Sequence, residues 1–178
     1  MSEIVDFLKI NGFSEDEAVK TFKRFYSYLV TMCQKKDVKE HFKAIEESEY
    51  DQLIIVKDID VNLMCPHHLL PVIMKVHISY VPNGKILGLS KFARVSRDLA
   101  KPITQEEYTD ELVKIIQENL KPEFVMAIVE GEHTCMRARG VQSINSKTIT
   151  NAIRHDEKIT VNDVKSYKQE FMKVVLNG

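Results

Sequence analysis

The chain has 178 residues, a formal net charge of −1, and is 44% hydrophobic and 29% charged. That length supports one domain with a real core, and the near-neutral charge argues against a nucleic acid polymer as partner. No apolar run is long enough to span a membrane, and the acidic, amphipathic start MSEIVDFLKI does not read as a secretory signal, so the expected location is cytoplasmic.

Ile4, Phe7 and Leu8 have helical spacing, and Asn11-Gly12 ends that pattern. Ser14 and Glu17 suit a capping box, followed by a helix face of Val19, Phe22, Phe25, Tyr26 and Leu29. Residues 34–51 read as a short helix and a connecting loop. The period then changes to two: Ile59, Val61 and Leu63 alternate with Asp58, Asp60 and Asn62, and Val72, Met74, Val76, Ile78 and Tyr80 alternate with Lys75, His77 and Ser79. A turn at 82–85 leads to a helix that Ser90 is expected to cap. Thr104 and Glu107 form a second capping box before a face of Tyr108, Leu112, Ile115, Ile116 and Leu120. FVMAIVEGEHTCMRARGV reads as two strands pivoting near Gly131, and Asn162 or Asp163 opens a last helix. The expectation is an α+β fold, an antiparallel sheet with helices on one face, with an N-terminal helical extension (residues 1–50) ahead of a catalytic domain (51–178).

Three cysteines, an odd number, argue against a disulfide framework. Cys33 reads as a plain thiol near a helix end. The other two have histidine company. Cys65 and His68 are spaced C-x2-H, which lets one turn present sulfur and nitrogen to a single ion, and His133 and Cys135 share a segment read as strand. If the segments meet, two thiolates and up to three imidazoles converge, a donor set that favours zinc over magnesium or calcium. A closed structural site needs four ligands, whereas a catalytic site keeps three and an open position. Five candidates therefore suggest three ligands plus two histidines free for proton transfer. The adjacent His67 and His68 do not easily aim at one ion, but spacing alone does not say which of them holds it.

Residues 85–101 carry Lys85, Lys91, Arg94, Arg97 and Lys101 against Asp98. Such a patch on a neutral protein suits a small anion. GLSKFAR places a glycine and a serine at a helix start, with Lys91 and Arg94 on one face. RARG at 137–140 puts Arg137 and Arg139 on one expected strand face. Gln105-Glu106 opens a helix, either as ordinary N-terminal polarity or as a carboxylate placed to accept purine N–H groups.

Taken in order, MCPHHLLP, KVHISYVPNGKILGLSKFAR, the Gln105-Glu106 pair and EGEHTCMRARGVQSINSKTIT resemble the GTP cyclohydrolase I family over about residues 53–151. The resemblance implies a tunnelling fold, in which subunits join antiparallel sheets into a barrel, and a homodecamer of two pentamers. It implies zinc held by Cys65, His68 and Cys135, acid–base roles for His67 and His133, and a GTP pocket lined by Ser90, Lys91, Arg94, Gln105, Glu106 and Arg139. The reaction implied is hydrolysis of the guanine ring at C8, release of formate, and closure to 7,8-dihydroneopterin triphosphate. Pro66 stands where the family usually has glutamate, and Glu107-Tyr108 where it usually has arginine-leucine. The alternatives are a divergent enzyme that stops at a formamidopyrimidine or takes another purine nucleotide, and a noncatalytic zinc-binding paralogue.

Overall fold

A computed structural model describes residues 2–34 and 36–176. It forms two compact units, Met1–Gln34 and Lys35–Gly178. In the first, α1 (Ser2–Ile10) and α2 (Glu15–Cys33) are joined at the Asn11-Gly12 break. The capping box forms as expected: the Glu17 N–H donates to the Ser14 hydroxyl, and the Ser14 N–H donates to the Glu17 carboxylate.

The second unit begins well before residue 51. Residues 38–44 form a 3-10 turn whose Val38 and Phe42 are buried in the main core. Next come β1 (Ile45–Glu47), β2 (Ile54–Met64), β3 (Pro71–Val81) and β4 (Lys85–Leu87). They are followed by α3 (Leu89–Leu99), α4 (Gln105–Leu120), β5 (Phe124–His133), α5 (Thr134–Arg137), β6 (Thr148–His155) and α6 (Val161–Leu176). Four strands form one antiparallel sheet in the order β2-β3-β5-β6, and β1 pairs with β4 in a separate ladder. The α+β antiparallel architecture is the one the sequence predicts.

The alternation read in β2 and β3 sends Val61, Leu63, Val72, Met74, Val76 and Ile78 into the core beneath α3 and α4. Strand β5 is buried on both sides. Val125, Ala127 and Val129 join that core, while Phe124, Met126 and Ile128 meet Phe171 of α6 on the opposite face. This two-sided burial explains why FVMAIV is a continuous apolar run rather than an alternating one. A bulge interrupts β2 between Val56 and Ile59, with Asp58 at a φ of 62° and its N–H donated to His77 Nδ1.

Four local expectations are corrected. Gly131 is not a pivot between strands; it lies inside β5, opposite Met74 on one side and Thr148 on the other. The residues after His133 form a helical turn, because the Thr134 hydroxyl is tied to the Pro71 carbonyl at 2.6 Å and the Ala138 N–H returns to the Thr134 carbonyl. Cys135 and Arg137 therefore sit on α5, and Arg139 follows it, so the two arginines do not share a strand face. The missing strand is β6, an edge strand that is mostly half-buried and so carries only a weak period-two signal. Gly88, not Ser90, caps α3, and it does so without a side-chain bond. The last helix starts at Val161, with the Thr160 hydroxyl bonded to both the Asp163 N–H and its carboxylate.

Candidate active site

Strands β2 and β3 end in register at Met64 opposite Pro71, and Cys65–Leu70 closes the hairpin between them. The Cys65 N–H donates to the Leu70 carbonyl, and the Leu69 N–H donates back to the Cys65 carbonyl. That second bond winds residues 65–69 into a single helix-like turn, and Leu69, at a φ of 53°, lets the chain leave it. One turn brings positions i and i+3 to the same side. Cys65 Sγ consequently lies 3.6 Å from His68 Nδ1 and 3.9 Å from His67 Nδ1. Cys65 is buried, while both histidines are exposed.

The turn of α5 brings Cys135 to the same place. Its sulfur is 3.9 Å from that of Cys65, and the donor atoms of Cys65, His68 and Cys135 all lie within 4.8 Å of one another. Tetrahedral zinc with ordinary Zn–S and Zn–N bonds needs sulfurs about 3.8 Å apart and a sulfur–nitrogen edge of about 3.6 Å. The donors present fit that ion in type and in spacing. Burial, then the hydrogen bond and charge of neighbouring Cys65, push the Cys135 thiol above its ordinary pKa. Two thiolates this close are unfavourable alone, and a divalent cation removes the penalty.

His133, the last residue of β5, is half-buried and hydrogen-bonded through Nε2 to Gln105 Oε1 at 3.0 Å. Burial holds its pKa below the usual imidazole value, and the nearby Glu106 carboxylate works against that shift. Gln105 is 1% exposed. Its amide nitrogen lies 3.1 Å from the Val129 carbonyl, 3.0 Å from that of Thr148 and 3.2 Å from the Thr150 hydroxyl. The residue expected beside a substrate thus has both ends of its side chain committed to protein. Gly131 makes room for it: a Cβ there would fall 2.1 Å from Gln105 Oε1. Sequence reasoning missed this arrangement, and the glycine inside EGEH was its one visible sign.

Glu106 is exposed at the start of α4 and lines a cleft of about 360 Å³ with Asp110 and the β6 residues Thr150–Arg154. Glu107 faces elsewhere. Its carboxylate accepts from the N–H and hydroxyl of Thr104, two bonds that lower its pKa. Tyr108 is buried and donates to the Ser96 carbonyl at 2.8 Å. The charge at position 107 is thus a helix cap.

The structure also divides the basic patch. Lys85 pairs with Glu47, Lys101 with Glu111, and Arg97 donates to the Asp60 carbonyl. Arg137 pairs with Glu132. Among the described residues, Lys91, Arg94 and Arg139 make no ion pair. Ser90, Lys91 and Arg94 occupy the first two turns of α3, and Arg139 lies just beyond α5, with Ser90, Arg94 and Arg139 exposed.

Comparison with known proteins accounts for this combination. Residues 8–175 match the model of the family described as GTP cyclohydrolase I. A GTP cyclohydrolase 1 from Hydrogenobaculum sp. (strain Y04AAS1) is 39% identical over 179 residues, covering 97% of this chain and 96% of that one. One from Listeria monocytogenes (serotype 4b, strain CLIP80459) is 45% identical over 131 residues, 70% of this chain and 69% of its own. One from Bacillus pumilus (strain SAFR-032) is 46% identical over 121 residues, 67% and 64% of the two chains. Among solved structures, the archaeosine synthase QueF-Like in the apo form aligns with a TM-score of 0.49 at 19% identity, over 62% of this chain and 98% of that one. The match over nearly the whole length, by family model and by relatives, means that this chain belongs to the GTP cyclohydrolase I family.

Proposed function

We propose that the protein is a zinc-dependent GTP cyclohydrolase I, converting GTP to formate and 7,8-dihydroneopterin triphosphate. The observation that carries this reading is the three-donor cluster of Cys65, His68 and Cys135, with two further histidines, His67 and His133, close at hand in the chain. Zinc bound there would supply Lewis acidity, making water nucleophilic at neutral pH.

The side chains divide the remaining work. His133 and His67 carry protons to and from the purine ring and the ribose as the C8–N bonds are hydrolysed and formate leaves. Glu106 accepts N–H groups of the guanine edge. Ser90, Lys91, Arg94 and Arg139 bind the triphosphate, and among the described residues none of the three cations in this set makes an ion pair, unlike Lys85, Lys101 and Arg137. Residues 35–178 form the catalytic unit, preceded by a helical extension.

The assembly we propose is a decamer of two pentamers in a cytoplasmic enzyme. Its support is the sheet itself. Strands β2 and β6 are its edges, with 11 and 8 residues, and edges of that length are ready to pair with another copy.

The test is to incubate zinc-loaded protein with GTP and follow formate and oxidised-pterin fluorescence together. Both signals support the full reaction. Formate alone would show an enzyme that releases the C8 carbon without closing the pterin. Neither signal with zinc bound would overturn the assignment.

A further inference from the structure

We propose that Gln105 is a positioning residue, which fixes His133 as the tautomer protonated at Nε2 and so leaves Nδ1 as the nitrogen that moves protons. The assignment deepens the cyclohydrolase reading and rests on it for its functional meaning. Its geometric core stands on the hydrogen-bond network alone.

The polarity of that network decides which atom of Gln105 faces His133. A glutamine amide has an oxygen that only accepts and a nitrogen that only donates, and which end faces which neighbour is decided by the partners. One end of Gln105 faces the carbonyls of Val129 and Thr148, which can only accept. That end is the nitrogen. Its third neighbour, the Thr150 hydroxyl, is also an acceptor. The Thr109 hydroxyl donates to the Gln105 backbone carbonyl at 2.7 Å, so the 2.7 Å contact between the two threonines must use the hydrogen of Thr150. Thr150 then has only lone pairs to offer the amide. Turning the amide over would set its oxygen against two carbonyls in a site that is 1% exposed, an arrangement the buried setting makes costly.

The end facing His133 is therefore Oε1, an acceptor, and the imidazole must donate to it. At 3.0 Å the bond is well formed. A neutral histidine has one N–H, so placing it at Nε2 leaves Nδ1 unprotonated. Gly131 keeps the arrangement possible, since any side chain would displace Oε1. Three regular elements meet here: the first turn of α4, the end of β5, and β6. A glutamine at the substrate contact would need a free amide end, and Gln105 has none.

The test is ¹⁵N-histidine solid-state NMR of the full-length protein, with zinc and without it. The chain has six histidines, and a His133→Asn variant assigns the signal of interest. The expected result is an Nε2-protonated neutral tautomer in the wild type. An Nδ1-protonated neutral His133 overturns the proposal, whatever the protein does to GTP. Two variants separate positioning from simple structural support, because both lose the donors to Val129 and Thr148. Gln105→Glu keeps an acceptor and should keep the Nε2–H signal. Gln105→Met removes the acceptor and should give a mixture of tautomers. The same tautomer in both variants overturns the proposal. In turnover, Gln105→Met should lower kcat by about a hundredfold, within the range of general acid–base catalysis, with less than about a threefold change in KM. A KM increase with kcat unchanged would identify a substrate contact instead. If wild-type protein gave neither formate nor pterin, the cyclohydrolase reading would fail while the tautomer result stood.

Discussion

Cys65 and Cys135 are 70 positions apart in the chain, yet their sulfurs lie 3.9 Å apart. Strand pairing creates the encounter: Met64 is opposite Pro71, Val72 is opposite His133, and each cysteine sits in the turn just beyond its strand. The meeting point is thus fixed by the register of β3 with both neighbours, and a one-residue slip would separate the donors.

Replacing Cys135 with alanine should abolish tight zinc binding, because two donors, one of them an exposed histidine, make a weak site. Elemental analysis after dialysis against a mild chelator should show zinc retained by the wild type and absent from Cys135→Ala. Unchanged zinc stoichiometry would mean that the ligand set is misassigned.

His133→Ala should keep its zinc and lose turnover by about 10² to 10⁴-fold, the usual contribution of a positioned general acid–base group. Zinc content and kcat must be measured on the same sample. Full turnover with zinc in place would remove His133 from proton transfer.

Lys91→Ala and Arg94→Ala should each raise KM for GTP by about tenfold or more, as expected for loss of a charge-assisted bond of about 1.5–3 kcal/mol. Arg97→Ala serves as the control, because its guanidinium is engaged with the Asp60 carbonyl. Equal effects at all three positions would point to a general field rather than to a triphosphate site.

Gly131→Ala should destabilise the fold by about 1–3 kcal/mol, the usual cost of overpacking a tight site. The new methyl meets Gln105 Oε1 at 2.1 Å and Val72 Cγ1 at 3.2 Å. Urea denaturation monitored by circular dichroism measures it. A variant as stable as wild type would show that Gln105 moves aside easily.

Asp98 gives the pH-dependent case. Burial alone would raise its pKa, but hydrogen bonds and charge from Lys36 and His41, both at 2.7 Å, outweigh burial and hold it below the ordinary aspartate value. A depressed carboxylate pKa contributes stability above the unfolded value, about 3.9, and that contribution is lost as pH falls through the lower folded value. The pair is partly exposed, so Asp98→Asn should cost about 1 kcal/mol at pH 7, and the gap to wild type should shrink below about pH 4. Paired denaturation curves at pH 7 and pH 3 decide it; a gap that persisted in acid would mean that packing, not charge, is at stake.

The sequence by itself determined what local chemistry can write. Both capping boxes, the apolar face of α4 and the alternation of β2 follow from short-range spacing and are present as read, whereas Phe25 and Tyr26 of the face read in α2 are exposed, and His77 and Ser79 of β3, read as facing outward, are buried. C-x2-H also carried its meaning locally, because one turn places those two side chains together. Only tertiary structure decided the rest. Strand β6 hides in TITNAIRH because an edge strand is half solvated and its pattern fades. The helical turn at Thr134–Arg137 depends on a bond to Pro71, 63 positions away, which no window around Cys135 contains. The separation of Lys91 and Arg94 from the paired cations beside them depends on which acids the fold brings near. Gln105 shows the difference most plainly. Its partners come from β5 and β6, 24 to 45 positions downstream, so a residue that looked like part of an exposed polar helix start is buried at the centre of a network. Hydrogen bonds, like metal sites, are decided by position in space, and the chain supplies that position only once the sheet has closed.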